Sequence, residues 1–222
     1  MDQEAGIAKA KRIGAGLSFV IFPLMLLIGF LLHPNLTSFE LVTDAATWAS
    51  EFRGNTMFHL GHLIVLLTVP LIIVVGVRCM RFTTGRGALA VFIGGILGVF
   101  GAFILAVDKG ALTLVLTAFD TLATPDFDRL EPGLQVLLDR GGWLWIVHLL
   151  VFLPLGFALQ AIGLWRAGVI SPGRASVIVL GLLLLLAGDI EVITSVGALL
   201  MSVGYIPMGI RELRGGLRAD AT

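Results

Sequence analysis

Hydrophobic positions in this chain do not alternate with polar ones; they come in long runs. Long stretches that contain no Asp, Glu, Lys or Arg include residues 14–34, 57–77, 87–107, 141–165 and 175–188. A helix rises 1.5 Å per residue, so about 20 apolar residues cross a hydrocarbon layer about 30 Å thick. All but the last run reach that length. Only helices and closed barrels satisfy every backbone N–H and C=O in lipid, and barrel strands would alternate. The pattern predicts an all-α, polytopic transmembrane helix bundle that occupies residues 1–222 as one domain.

The last third of the chain allows two readings. Residues 175–210 would measure about 54 Å as one helix, too long for a single crossing. The only interruption is Gly188-Asp189-Ile190-Glu191. A continuous helix gives five spans. A turn at the interruption gives six, with a short fifth span, and is the reading adopted.

Charge then orients the bundle. Lys and Arg concentrate on the cytoplasmic side of span ends. Lys9, Lys11 and Arg12 precede the first run; Arg78, Arg81 and Arg86 separate the second and third; Arg166 and Arg174 follow the fourth. Segments 34–56 and 108–141 are acidic instead, with Glu40, Asp44 and Glu51 in one and Asp108, Asp120, Asp126, Asp128, Glu131 and Asp139 in the other. This places tail 1–12 in the cytoplasm and both acidic loops outside. Six spans also return Arg211, Arg214 and Arg218, in tail 211–222, to the inside. The first run is longer than a typical signal core and lacks an A-x-A site, so it reads as a retained span. The expected setting is a plasma membrane of the bacterial inner type.

Composition narrows function mainly by exclusion. The chain is 57% hydrophobic and 14% charged, against about 25% charged in soluble domains. Its mean hydropathy is +1.00. The formal net charge of zero provides no basic field for nucleic acid. Cys79, the one cysteine, excludes an internal disulfide and any C-x-x-C motif. No nucleotide-binding motif, H-E-x-x-H or G-x-S-x-G occurs. The lipid bilayer is the implied surrounding, with another membrane protein or a second copy as a possible partner.

Candidate chemistry gathers at one depth. His59 and His62 open the second span, Asp108 and Lys109 close the third, His148 lies near the start of the fourth, and Asp189 and Glu191 fall at the outer end of the last section. Ionisable groups at membrane depth are costly and commonly face the bundle interior or a wet cavity. His59, His62 and His148 with Asp108, Asp189 or Glu191 would suit zinc or iron, or a b-type haem on two histidines. A remaining carboxylate could then serve a zinc-bound water as general base. Two other classes stay open: a non-catalytic membrane subunit or assembly factor, and a proton-linked transporter of small solutes. His33, beside Pro34, reads as an interfacial residue outside the set.

Four further features have structural readings. Gly94, Gly95, Gly98 and Gly101 offer a small-residue flank for close helix packing. Trp48, Trp143 and Trp145 suit an aromatic belt. Phe58-His59-Leu60 and Val147-His148-Leu149 would mark equivalent starts if the hairpins 57–107 and 142–187 were a repeat. Residues 130–139 suit a short helix on the membrane surface.

The orientation predicts that cysteines introduced at Ser38 and Thr124 react with impermeant reagents from outside intact cells. One at Ala221 should stay protected. Outside labelling at Ala221 would reject the six-span reading and leave the other assignments standing.

Overall fold

A computed structural model describes residues 2–188 and 190–215. Eight helices form among them: α1 (Asp2–Leu31), α2 (Ala45–Phe52), α3 (Thr56–Phe82), α4 (Ala88–Asp120), α5 (Thr124–Leu138), α6 (Phe152–Arg166), α7 (Pro172–Leu184) and α8 (Glu191–Arg214). A ten-residue 3-10 segment, Gly142–Val151, leads into α6, and a 3-10 turn, Leu185–Ala187, extends α7. No strand occurs among the described residues. Five helical stretches are long and apolar enough to cross a membrane: Gln3–Leu31, Thr56–Arg81, Ala88–Asp120, Gly142–Arg166 and Glu191–Arg214. The stretch Pro172–Ala187 is apolar but shorter. The chain is therefore a helical integral membrane protein.

Between Ala187 and Glu191 the helix breaks. Gly188 has φ 64° and ψ −119°, a conformation that L side chains rarely adopt. α7 and α8 run antiparallel beyond the break. A Cβ on Gly181 would lie 2.7 Å from Gly197 O, and one on Gly204 would strike the Ile178 side chain. Farther along, Arg211 Nη1 donates to Val169 O at 3.0 Å. The pairing thus extends over the whole of α7.

The long helices close a ring in chain order: α1, α3, α4, α6, α7, α8, and back to α1. Most of these interfaces depend on glycine. Gly16 meets Gly209 between α1 and α8, Gly29 meets Gly61 between α1 and α3, and Gly98 meets Gly156 between α4 and α6. With lipid outside, helices gain little from hydrophobicity and associate by close backbone contact. Gly94, Gly98 and Gly101 therefore serve packing, each facing α6 backbone or the Phe157 ring. Inside the ring lie Phe19, Phe22, Leu26, Ile72, Phe157, Leu182 and Tyr205, all buried.

One polar side chain fastens the half of the ring away from α2 and α5. Gln160 on α6 is 1% exposed, and its Nε2 donates to Gly76 O of α3 at 3.1 Å and Val91 O of α4 at 3.2 Å. Nearer that end of the ring, the fully buried Glu212 of α8 receives Arg78 of α3 at 2.6 and 2.8 Å. A buried carboxylate requires such a partner.

The segments that link α1 to α3 and α4 to α6 carry helices of their own, α2 and α5. α4 is about 50 Å long, longer than the hydrocarbon layer is thick. Its far end packs with α2, α5 and the start of α3 around Phe52, Phe58, Leu116, Phe127 and Leu134. The expected surface helix at 130–139 is thus the second half of α5, whose Phe127 and Leu134 are buried in this cap.

Valine at Gly156 would press on Gly98 backbone and should cost about 1–3 kcal/mol, read as thermal stability in detergent. Valine at Gly6, where a Cβ meets nothing within 4 Å, should cost far less. Gln160→Ala should cost about 1–2 kcal/mol for two interhelical bonds. Ser195→Ala should cost nothing, because the buried Ser195 Oγ has no hydrogen-bond partner among the described residues.

Candidate functional site

α3 and α4 approach each other less closely at the end of the ring that carries α2 and α5. A Cβ on Gly110 would meet nothing nearer than Leu66 Cδ1 at 3.9 Å. A chamber of about 230 Å³ occupies this end, enough for seven or so waters at ~30 Å³ each. α1 and the turn after it contribute Phe30, His33 and Asn35; α3 contributes Phe58 and His62; α4 contributes Asp108 and Lys109; Glu191 opens α8. The cap lies over it, with Trp48 and Glu51 from α2 and Leu137 and Leu138 from α5.

Local sequence explains how the cap is held. Asp44 caps α2 by accepting from Thr47 N and Thr47 Oγ1, each at 2.8 Å. Those bonds hold the Asp44 carboxyl below its ordinary pKa. Trp48 and Phe52, one turn apart, then face the same side and pack edge to face. This turn brings the buried Glu51 to Asn35 Nδ2, which donates to it. Gln135 of α5 accepts from Ala45 N at 2.8 Å and donates to Thr43 O at 3.2 Å. Asn35 belongs to the sequon Asn35-Leu36-Thr37 and here serves the chamber wall.

His33, Phe58 and His62 form an aromatic cluster, with ring centroids 4.5–4.9 Å apart. His33 Nδ1 lies 3.1 Å from Glu191 Oε1, joining α1 to α8 at the chamber. His62 is 5% exposed, and its Nδ1 bonds to Phe58 O at 3.1 Å. A carbonyl only accepts, so Nδ1 holds the proton and Nε2 keeps its lone pair. Asp108 Oδ2 is 3.4 Å from Lys109 Nζ.

No family model, curated protein or solved structure matches this chain.

The sequence-derived set divides. His62, Asp108 and Glu191 line the chamber, and His33, set aside as interfacial, joins them. His59 does not line it. Its Nε2 contacts Asp120 Oδ2 at 3.2 Å, while Asp120 Oδ1 accepts from Gly54 N at 2.7 Å, a latch between α3, the turn before it and α4. His148 is exposed on the outside of the bundle, with Nδ1 bonded to Trp145 O at 2.9 Å. The 3-10 geometry is the reason. Each residue turns about 120° rather than 100°, so six residues after Gly142 the ring is rotated about 120° from its α-helical position. Asp189 lies outside the described residues.

Two expectations change accordingly. Among the described residues no three His, Cys, Asp or Glu side chains converge so as to hold a metal ion. The suspected repeat also loses its markers, since the partly buried His59 pairs with a carboxylate and the exposed His148 with its own backbone.

Burial and, second, the Lys109 charge push the His33 pKa down to about 4, although the adjacent Glu191 carboxylate favours the imidazolium. The unfolded chain then binds a proton near pH 6.5 that the folded chain refuses until about pH 4. His33 therefore removes stability as pH falls through that window. His33→Gln should flatten thermal stability between pH 6.5 and 4. A wild-type His33 that titrates above 6.5 by NMR would show that Glu191 dominates instead.

Proposed function

We propose that this chain is a six-span plasma-membrane protein, with both termini inside, that binds a small polar solute in a chamber at its outer end. The chamber carries the reading: it is roofed by the cap helices and lined by ionisable side chains from α3, α4, α8 and the turn after α1. The antiparallel pairing of α7 with α8 over its whole length supports a sixth crossing. The Lys/Arg distribution supports the orientation, and with it a membrane of the bacterial inner type.

His62, Asp108 and Glu191, with His33, are the proposed contact residues. His59 is a positioning residue that acts through Asp120 and the cap. The solute takes the place of the metal or haem first expected from these residues, because His59 pairs with Asp120 and His148 faces away from the chamber. A binding role fits better than passage across the membrane. Below the chamber the ring is filled by Phe22, Leu26, Ile72, Phe157 and Tyr205, and the inner half is fastened by Gln160 and by Arg78 with Glu212.

A panel of small polar solutes screened by thermal shift on the purified chain tests this. At 100 times its Kd, a bound solute should add about 2.7 kcal/mol of stability. Ala111→Trp, which puts an indole at the chamber wall, should abolish the shift. Purified protein that holds one haem, zinc or iron per chain, lost on His62→Ala, would restore the metal reading and contradict this one.

A further inference from the structure

The chamber has an apolar side as well as a polar one, and the apolar side reaches the surface of the bundle. On α4, Asp108 and Lys109 line it together with Val107 and Ala111. Val107 and Ala111 continue a stripe with Phe100, Phe103 and Leu114, at helical spacing and exposed on the outside of the ring. One space thus runs from the interior round the flank of α4 to its outer face. Leu144, Ile146 and Val147 of the 3-10 segment form the facing wall, and no residue of that segment is buried.

Packing accounts for the opening. Nearer the middle of the ring α4 and α6 meet backbone to backbone: a Cβ on Gly156 would strike Gly98, and one on Gly101 would strike Leu153. Past Gly101 the same face of α4 carries Leu105, Asp108 and Leu112, and α6 gives way to the 3-10 segment. Side chains at i and i+3 eclipse in such a helix, so they fit poorly between the ridges of an α-helix. Counted from Ala88, α4 has risen about 29 Å by Val107, close to the thickness of the hydrocarbon layer. The exposed Trp143 and Trp145 of the 3-10 segment suit the same level, the boundary between acyl chains and headgroups.

Resting on the chamber reading above, we propose that the polar solute is the head of an acyl-chain amphiphile of the surrounding bilayer, which enters sideways between α4 and the 3-10 segment. The head occupies the chamber, and the chain stays in lipid along Val107, Phe103 and Phe100. At roughly 30 Å³ per methylene, about the share of one water, a chain of about fifteen carbons exceeds the 230 Å³ of the chamber and belongs outside it. A solute without a chain would use only the polar wall and would need no opening toward lipid. Anchoring in the bilayer also raises the local concentration of the head, so a weak site for it suffices.

Native mass spectrometry of the purified full chain, titrated with lysophospholipids and with their chainless glycerophosphodiesters, tests the class. Ethanolamine, choline and glycerol heads are compared as matched pairs. For at least one head the lysolipid should bind one per chain, at least about tenfold more tightly than its chainless partner. Ile146→Trp, at an exposed position, should fill the opening and abolish that advantage while leaving the chainless head unaffected. Val107→Trp, on the other wall, should act alike, and Leu89→Trp, at the far end of α4, should change nothing. Equal affinity of lysolipid and chainless head would overturn the amphiphile class and leave the chamber reading intact. An advantage that survives both Ile146→Trp and Val107→Trp would overturn it too, because the chain would then lie elsewhere on the bundle. No lysolipid bound, with a solute found in the thermal panel, would overturn this inference alone; an empty panel as well would remove both readings.

Discussion

Backbone contact at paired glycines is the constraint on which the remaining architecture depends. In water a helix can be held by burying its apolar stripe, but in lipid an apolar face is equally satisfied outside the bundle. The helices are drawn together where carbonyl and Cα of one reach the other, as at Gly16 with Gly209, Gly29 with Gly61, Gly98 with Gly156 and Gly181 with Gly197. These contacts place α8 against α1 and so close the ring. Ring closure then brings His33 and Glu191, 158 positions apart in the chain, to 3.1 Å.

Polar groups are distributed in keeping with that closure. In the half away from the cap they are spent on fastening: Gln160 spans three helices, and Arg78 with Glu212 joins α3 to α8. In the half under the cap, His62, Asp108 and Glu191 face a space. Side chains rather than glycines separate α3 from α4 at Gly110, so the wall there leaves the room that becomes the chamber. The cap formed by α2, α5 and the projecting end of α4 has its own apolar core, which lets it roof the chamber without belonging to the ring. A chamber at one end, over a filled base, follows from this division.

Helical class, five of the crossing candidates and the break at Gly188 were legible because each depends on the length of an uncharged run or on one glycine. The depth of the polar residues was legible for the same reason, and His62, Asp108 and Glu191 do share a chamber. Rotation about the helix axis was not. His148 faces outward because Gly142–Val151 winds as a 3-10 segment, which hydrophobicity does not encode. His33 was undervalued because its partner lies at the far end of the chain. Gln160 went unremarked as the single amide in an uncharged run, although a buried amide in lipid needs partners on neighbouring helices. α2 had a readable signal in Asp44 followed by Trp48 and Phe52, an N-cap before residues one turn apart.

The central claim is a chamber open to the outside and closed below. Cysteines placed singly at Asp108, Ala111, Ile72 and Val75, in a Cys79→Ser background, and treated from outside with a charged, water-borne thiol reagent measure it most directly. The account predicts modification at Asp108 and Ala111 and protection at Ile72 and Val75, which lie in the apolar filling of the ring. Modification at Val75 at a rate near that at Asp108 would reveal a water path through the bundle and contradict it.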